Sequence, residues 1–383
     1  MTRVAFLAPL KPPDHPEPSG DREMARLLLR ALHRAGCEPS LASRLRMLDR
    51  HGDAGLEAAL EREARTEAEA LLSRYAGLPR PQRPDLVFTY HVHYKAPDVI
   101  GPALARGLGV PYVVAEGSRA PKRANGPWAR FHALAEAALD AADLVLVLNE
   151  GDREMLERAR PARQALAEFP PFLDTEAWPI APRRPRDPAG PARLIAVAMM
   201  RQGDKLASYA ALAQALAGLP EAVGWTLDIV GDGPARGEVE ALFAPFGARA
   251  RLHGLVSDRD ALAALYAAAD LLVWPAVNEA YGMVFLEAAL QGCPALAGAC
   301  GGVPGVVADG RTGVLTPPGD VAAFRDTLAG LVAEPARLAL LSRHGPAFVQ
   351  GRRSLAGAAE RLRGLLSTTL EAASPRARAA GPA

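Results

Sequence analysis

Short apolar runs alternate with longer segments of helical spacing along the whole chain, and this alternation is the first evidence of its fold. The apolar runs suited to buried strands lie at residues 3–10, 86–90, 112–115, 144–148, 194–198, 226–230, 271–274, 294–297 and 313–315. Between them lie polar loops and segments in which apolar residues recur every three or four positions. Because strands that alternate with helices build parallel sheets, the pattern predicts an α/β protein. We expect two doubly wound, Rossmann-like parallel-sheet domains that face a cleft.

The length of 383 residues is sufficient for two domains that each bury a core. The segment 181–190, APRRPRDPAG, is rich in proline and charge and is typical of a linker. We therefore predict an N-terminal domain at 1–178, a linker at 179–190 and a second domain at 191–349.

The C-terminal part of the chain has a pattern of its own. Apolar residues at helical spacing form a stripe that needs a packing partner, at Leu355, Ala359, Leu362 and Leu366. The tail 373–383 is low in large apolar residues, so we expect it to be disordered.

Charge and cysteine content restrict the classes of function. Lys and Arg number 44 against 43 Asp and Glu, and the net charge of +1 produces no global field that would attract nucleic acid. The three cysteines, Cys37, Cys293 and Cys300, lack metal-ligand spacing and fit a reduced cytoplasmic protein. We find no signal peptide and no apolar run of membrane-spanning length, although peripheral contact with a membrane remains open.

The segment Leu271–Gly302 carries the most specific chemical pattern. It predicts a strand, a loop, a helix that begins near Gly282 and a second strand, which together form one βαβ unit. Glu279 lies in the loop and Glu287 about one turn inside the helix, so both carboxylates can border a cavity above the helix N-terminus. The free N–H groups there, from about Gly282 to Phe285, favour an anion such as a diphosphate. Carboxylates beside such an anion suit sugar hydroxyls.

The same segment resembles the signature of a known enzyme family. The pattern consists of Pro275, Glu279, Gly282, Glu287, Ala288, Gly292, Pro294 and the pair Gly301-Gly302. It is similar to that of the retaining glycosyltransferases of family 4 (group 1), which have the GT-B fold. The resemblance implies transfer of a sugar from a UDP- or GDP-type nucleoside diphosphate sugar, with retention and without a metal or cofactor. It also implies that a C-terminal helix at 350–372 crosses back to the N-terminal domain.

The resemblance implies roles for individual residues. Glu287 would accept the ribose hydroxyls, while Glu279 would hold hydroxyls of the transferred sugar and support positive charge at its ring. Arg201 and Lys205, which follow the first strand of the second domain, would neutralise the departing diphosphate. Further contacts to the nucleotide sugar would come from Gly20, Leu255, Gly282, Met283 and Val284. For Gly20, a plain left-handed turn is an equally good local interpretation.

Loops in the first domain are candidates for the acceptor or sugar side, because parallel sheets bind ligands at the carboxyl ends of their strands. The candidates are His93, Glu116, Arg119 and Lys122. His91 and His93 would point to opposite sides of an extended chain, so a chelating pair is not expected. Many family members have a histidine close to the position of Glu116, and no catalytic histidine is carried over here. The basic residues of this loop would hold an anionic acceptor or form a solvated surface.

Three other functions are compatible with parts of the sequence. An epimerase or phosphorylase of the same fold would keep the donor site, although a phosphorylase needs a pyridoxal lysine and only Lys205 is available in the second domain. An NAD-dependent reductase would use the turn Gly231-Asp232-Gly233, but the third glycine of a dinucleotide fingerprint is missing. A catalytically silent protein that binds sugar nucleotides would fit the altered loop at Glu116. These motifs do not specify the oligomeric state or the acceptor, which would be a saccharide, a lipid-linked sugar or a small molecule.

Overall fold

The computed structural model describes residues 1–17, 19–184, 186–187 and 189–379. The chain forms two compact units. Unit 1 comprises Met1–Pro170 together with the chain from Leu355 onward, and unit 2 comprises Pro171–Ser354. Each unit contains a six-stranded sheet. The apolar runs predict nine of these strands, and the structure adds Cys37–Leu41, Ala165–Glu168 and Ala250–Gly254. Within the described residues, no helix combines the length and the apolar character needed to cross a membrane.

Unit 1 is a series of strands joined by crossover helices. Its elements are β1 (Thr2–Leu7), α1 (Gly20–Arg34), β2 (Cys37–Leu41), α2 (Ala54–Ala76), β3 (Leu86–Val92), α3 (Ile100–Leu108), β4 (Tyr112–Gly117), α4 (Ala129–Ala141), β5 (Leu144–Val147), α5 (Arg153–Arg158) and β6 (Ala165–Glu168). The sheet order is β2-β1-β3-β4-β5-β6, and all neighbours are parallel. Central strands such as β3 are buried on both faces, which explains their continuous apolar runs.

Unit 2 repeats this architecture. Its elements are β7 (Ala192–Val197), α6 (Asp204–Ala217), β8 (Trp225–Val230), α7 (Arg236–Phe243), β9 (Ala250–Gly254), α8 (Arg259–Ala268), β10 (Leu271–Trp274), α9 (Met283–Leu290), β11 (Ala295–Gly298), α10 (Val303–Val306), β12 (Gly313–Thr316), α11 (Val321–Ala333) and α12 (Pro335–Arg352). The parallel strands are ordered β12-β11-β10-β7-β8-β9. This is the order of a dinucleotide-binding fold, in which the first strand lies at the centre.

The chain returns to unit 1 as α13 (Leu355–Ala379), which packs along α1. The residues of the apolar stripe are between 0 and 6% exposed, at Leu355, Ala359, Leu362 and Leu366. Arg363 donates to the carbonyl oxygens of Arg34 and Ala35, each at 3.1 Å, where the C-terminus of α1 favours a cation. α13 runs into the segment 373–383 that the sequence suggested would be disordered, and residues 380–383 lie outside the described residues.

The boundary between the units falls a few residues before the end of the N-terminal domain expected from the sequence. Trp178 lies 5.6 Å beneath the guanidinium of Arg259, within unit 2. The expected linker at 179–190 also has contacts with unit 2, since the Gln291 side chain accepts the N–H of Ala181 at 3.0 Å. These contacts explain why the chain before β7 belongs to the second unit.

Candidate active site

The strand order of unit 2 reverses between β7 and β10, and ligands bind such sheets at the carboxyl ends of the strands beside this point. Lys205 lies in the first turn of α6, after β7, and Glu279 lies in the loop after β10. The Lys205 ammonium contacts the Glu279 carboxylate directly. Trp274 donates its indole N–H to the same oxygen at 3.2 Å, and Lys205 Nζ lies 5.7 Å from the ring centroid of Trp274. The structure thus brings together two of the residues that the sequence assigned to catalysis.

The loop 275–282, which carries Glu279, has a backbone that few residues adopt. Ala276 and Asn278 have φ angles of +57° and +49°, in the left-handed region that is unfavourable for residues other than glycine. The Asn278 amide donates to Asp204 at 2.8 Å, and the backbone N–H between the two strained residues donates to Ser208 Oγ at 2.9 Å. Because Asp204 and Ser208 lie on α6, this one helix holds both the predicted cation and the loop beside it.

Gly301 and Gly302 follow β11 and pack against the backbone of the same loop. A Cβ on Gly301 would overlap the carbonyl oxygen of Glu279, and a Cβ on Gly302 would overlap that of Ala280. Gly302 also donates its N–H to the Ala280 carbonyl at 2.6 Å. The glycine pair therefore allows two loops to meet backbone to backbone, and a side chain there would displace Glu279.

The N-terminus of α9 has the features of an anion site. Gly282, with φ of +71°, turns the chain into the helix, and in the described structure no side chain caps this start. The first N–H groups of a helix have no partner inside it and carry partial positive charge. Met283 and Val284, which supply these groups, are half-buried. The arrangement suits a phosphate group, as the sequence predicts.

Glu287 lies in the second turn of α9 and is half-buried. The hydroxyl of Tyr266, on α8, donates to Glu287 Oε2 at 3.0 Å. Burial and the neighbouring carboxylate raise the pKa of the Tyr266 phenol well above its ordinary value. Tyr266 therefore keeps its proton and orients the carboxylate.

The turn Gly231-Asp232-Gly233 supports the loop that carries Arg201. A Cβ on Gly231 would overlap the carbonyl oxygen of Ala198, and one on Gly233 would overlap that of Met200. Met200 also donates its N–H to the Asp232 carbonyl at 2.9 Å. Backbone packing beside the half-buried Arg201 thus accounts for both glycines. The turn follows β8, the neighbour of β7 in the sheet.

Two residues predicted to contact the nucleotide sugar lie on other elements than the Glu279 loop. Leu255 follows β9, which is two strands from β7, and is 65% exposed. Gly20 is the first residue of α1 in unit 1, and Ser19 caps this helix by accepting the Arg22 N–H at 3.2 Å. Gly20 does not have a left-handed backbone, so that local interpretation is wrong, and its role beside a substrate stays a prediction.

At the carboxyl end of β3, His91 and His93 lie side by side, with ring centroids 4.7 Å apart. The expectation that they point to opposite sides is wrong, because φ of +63° at His91 interrupts the extended chain. His91 Nδ1 is 3.1 Å from the Asp21 carboxylate, and Nε2 is 3.8 Å from that of Glu116. Among the residues that the structure describes, no group of three or more His, Cys, Asp or Glu could hold a metal ion.

The two histidines of this cluster, His91 and His93, have opposite pKa shifts. Burial alone would lower the pKa of His91, but the carboxylates of Glu116 and Asp21 raise it to about 9. Burial, assisted by the charge of His91, lowers the pKa of His93 well below its ordinary value. Burial raises the pKa of Glu116 although His91 opposes the shift. At neutral pH, His91 is therefore an imidazolium between two carboxyl groups and His93 is neutral.

Arg119 and Lys122 follow β4 in one loop but have different surroundings. The Arg119 side chain is 3% exposed, and its guanidinium contacts the carboxylates of Glu136 and Asp140 on α4. The expectation that Arg119 faces an acceptor is therefore corrected, because a guanidinium held this way anchors the loop to the helix. Lys122 is exposed in a short helical turn, Pro121–Arg123, and is accessible to a ligand.

A family match covers most of unit 2. Residues 192–334 match the family model described as glycosyl transferases group 1. Unit 2 is similar to group 1 glycosyl transferases over these residues. The resemblance inferred from the segment around Glu279 and Glu287 is thereby confirmed.

Two curated relatives illustrate the extent of the similarity. Glycogen synthase from Mycobacterium tuberculosis (strain ATCC 25618 / H37Rv) is 29% identical over 278 residues, which is 68% of this chain and 63% of that protein. D-inositol 3-phosphate glycosyltransferase from Xylanimonas cellulosilytica is 40% identical over 137 residues, which is 34% of this chain and 32% of that protein. The matches thus span less than two thirds of the length of either relative.

Solved structures extend the comparison to the whole fold. Sucrose-phosphate synthase from Thermosynechococcus elongatus has a TM-score of 0.72 at 20% identity, covering 97% of this chain and 100% of that one. Anabaena Alr3699/HepE in complex with UDP has a TM-score of 0.70 at 18% identity, covering 96% and 100%. The GT-B fold class inferred from the sequence is therefore confirmed.

The sequence analysis did not identify the residues of unit 2 that support the two glutamates. Tyr266 and Trp274 lie in apolar segments, where an aromatic residue is usually a core residue. The only signal is that a buried phenol or indole needs a hydrogen-bond partner. Ser208 and Asn278 carry no signal at all, because their contacts to the Glu279 loop and to α6 depend on strand order.

Proposed function

We propose that this protein transfers a sugar from a nucleoside diphosphate sugar to a hydroxyl group of an acceptor, with retention of configuration and without a metal ion. The observation that carries the proposal is the direct pairing of Glu279 with Lys205 where the strand order of unit 2 reverses. A cation for a diphosphate and a carboxylate for a sugar meet there, one loop away from the uncapped N-terminus of α9. The family match over residues 192–334 supports the same activity.

The donor site divides into a nucleotide part and a phosphate part. Glu287, oriented by Tyr266, accepts hydroxyl protons of the ribose. The N–H groups at the start of α9, together with Arg201 and Lys205, stabilise the diphosphate. Anabaena Alr3699/HepE has been solved in complex with UDP and with UDP-glucose, which favours a uridine donor for this chain. The donor is consumed as a substrate, and no separate cofactor is proposed.

The reaction breaks the bond between the anomeric carbon and a diphosphate oxygen, and the electron pair leaves with the diphosphate. The acceptor oxygen forms the new bond on the same face of the sugar, and its proton passes to the departing diphosphate. Positive charge develops at the sugar ring as the bond breaks, and the Glu279 carboxylate stabilises it. Lys205 lies against this carboxylate and against Trp274, so its ammonium is already oriented where negative charge develops.

The alternative of an NAD-dependent reductase loses its main argument. The glycines at 231 and 233 are accounted for by their packing against the Arg201 loop. No comparable observation favours an epimerase, a phosphorylase or a silent binding protein over transfer.

The proposal is tested by calorimetry with UDP and GDP in the presence of EDTA. We expect one of them to bind with a dissociation constant between micromolar and millimolar, or about −8 to −4 kcal/mol. Lys205→Gln should weaken binding by roughly tenfold or more, because a charge-assisted contact to phosphate is lost. Lys122→Gln, an exposed lysine in unit 1, is the matched control and should bind normally. Binding that appears only with added Mg²⁺ or Mn²⁺ would contradict the metal-free proposal.

A further inference from the structure

A second group of aromatic and cationic side chains lies in unit 1, in the loops that follow β3 and β4. Tyr94 and Trp128 form an edge-to-face pair with centroids 5.7 Å apart and planes at 86°. Lys95 and Arg123 flank this pair. We refer to Tyr94, Lys95, Arg123 and Trp128 as the aromatic–cation platform.

Both cations of the platform contact both rings. Lys95 Nζ lies 5.6 Å from the Tyr94 centroid and 5.5 Å from that of Trp128. The Arg123 guanidinium carbon lies 5.1 Å and 4.9 Å from the same two centroids. Within the described residues, neither cation has a carboxylate partner, in contrast to Arg119 in the same loop. Two like charges on one ring pair repel each other, and an anion between them would remove this repulsion.

The backbone beneath the platform is held at several points. Ala96 donates its N–H to the His93 carbonyl at 2.9 Å, which closes the tight turn that presents Tyr94 and Lys95. Asp49 donates its N–H to the Lys95 carbonyl at 3.0 Å, and its own carbonyl accepts the Trp128 indole N–H at 3.4 Å. The ring of Trp128 and the base of Lys95 are therefore tied to one residue of a third loop.

The carboxylates near this third loop are already engaged with backbone N–H groups. Asp49 accepts from the N–H groups of His51 and Asp53, at 2.8 and 2.7 Å. Asp53 in turn caps α2 by accepting from two N–H groups of its first turn. They are thus held by the backbone and leave the charge of Lys95 and Arg123 to a ligand.

The platform is continuous with the charged cluster at Glu116. The ring of His93 is 4.7 Å from that of His91 and 5.9 Å from that of Tyr94. A row of rings therefore leads from His91, which contacts Glu116, to Trp128. The row follows the carboxyl ends of two adjacent parallel strands, where sheets of this type bind ligands.

We propose that the aromatic–cation platform binds a polyol or sugar that carries a phosphate group, and that such a molecule is the acceptor. The apolar face of the ring packs on Trp128 and Tyr94, and the phosphate lies between Lys95 and Arg123, which donate charge-assisted hydrogen bonds. This assignment rests on the proposed transfer activity and specifies the class of acceptor. The phosphate would belong to a free sugar phosphate or to the headgroup of a lipid.

The test is calorimetry on the full chain saturated with UDP, so that added phosphate does not compete for the donor site. The probes are glucose 6-phosphate, glucose and inorganic phosphate. Vesicles of phosphatidylcholine with phosphatidylinositol, and of phosphatidylcholine alone, form the lipid arm. We expect binding of glucose 6-phosphate or of the phosphatidylinositol vesicles at least tenfold tighter than binding of glucose or of phosphatidylcholine alone. Whichever arm binds identifies the source of the phosphate.

Variants assign the binding to the platform. The double change Lys95→Gln and Arg123→Gln should weaken it by tenfold or more, and Arg123→Gln alone, at an exposed position, should retain the fold and give a smaller loss. Arg249→Gln is the matched control, because this arginine stacks 4.6 Å above Trp225 in unit 2. UDP binding should be the same in all variants.

The proposal is overturned if neither arm binds, if glucose binds as tightly as its phosphate, or if the double variant binds like the control. In each case the donor site can still be judged separately, since UDP binding to the same samples tests that site. Should UDP fail to bind, the probes are titrated without it, and the platform is tested alone.

Discussion

The two units each place a carboxylate beside a cation at the carboxyl ends of parallel strands, but the cations differ in chemistry. In unit 2 the cation is Lys205, beside Glu279. In unit 1 it is His91, between Asp21 and Glu116. Lysine carries its charge throughout the neutral range, whereas histidine gains or loses a proton within the physiological range when its surroundings change. The comparison teaches that the charge balance of the cluster in unit 1 depends on one histidine proton, whereas in unit 2 a lysine and a carboxylate are in direct contact.

The two sites also share a feature of the backbone. Within the described residues, the non-glycine residues with positive φ are His91, Glu116, Ala276 and Asn278. All four belong to these two sites or to the loops that form them. Strained backbone persists where surrounding contacts hold it, and it concentrates at functional positions. This coincidence is an argument for function in unit 1 that does not depend on the family match, which covers residues 192–334.

The largest expected effect comes from removal of the charge on Glu279. Glu279→Gln should lower kcat by about 10²-fold, because it removes an electrostatic contact to charge that develops in the transition state. The affinity for free UDP should not fall, since Lys205 is no longer neutralised by the carboxylate. The measurement is release of UDP from UDP-glucose, together with calorimetry of UDP.

A matched control for this change is Glu240→Gln, at an exposed glutamate that pairs with Arg236 on the same unit. Glu240→Gln should leave both kcat and the dissociation constant for UDP unchanged. If Glu279→Gln weakens UDP while kcat is preserved, the carboxylate acts in the ground state and the assignment of roles is wrong.

A smaller effect, confined to binding, is expected from Glu287. Glu287→Ala should weaken UDP by roughly ten- to hundredfold, the size of a lost charge-assisted hydrogen bond. Tyr266→Phe keeps Glu287 but removes the hydroxyl that orients it. It should weaken UDP binding by less, about two- to tenfold. Calorimetry of UDP with the unchanged protein and the two variants gives the order of their affinities. Equal losses for the two variants would show that the tyrosine does more than orient the carboxylate.

The smallest effect concerns the proton on His91 and appears as a dependence of stability on pH. The pKa of His91 is raised from 6.5 to about 9 in the folded protein. Its stabilising contribution is therefore fully present below pH 6.5 and is lost as the pH rises through about 9. The Tm of the protein should fall between these values by about 5 °C more than that of His91→Gln.

His253→Gln is a useful control for this experiment. Among the residues that the structure describes, His253 contacts one carboxylate, that of Asp228 at 2.7 Å, and it is half-exposed. His253→Gln should keep most of the pH dependence of Tm that the unchanged protein shows. If His91→Gln shows the same fall in Tm as the unchanged protein, His91 does not hold its proton between Asp21 and Glu116.

The sequence alone was sufficient for features that depend on neighbouring positions. The alternation of apolar runs predicts both sheets, because each strand and each helix is recognised from its own short segment. The stripe on α13 predicts a buried face for the same reason. The spacing of Glu279, Gly282 and Glu287 places one carboxylate before a helix start and one within the helix, since the turn is set by a single glycine.

Tertiary structure decided the features that depend on strand order and on individual φ angles. Lys205 contacts Glu279, which is 74 residues away in the sequence, because β7 lies next to β10 in the sheet. His91 and His93 lie side by side because a single left-handed residue reverses the direction that alternation predicts. Arg119 is an anchor because α4 places two carboxylates beside it. Periodicity in a sequence reports which face of an element is buried, whereas the partner of a polar side chain is fixed only when separate elements come together.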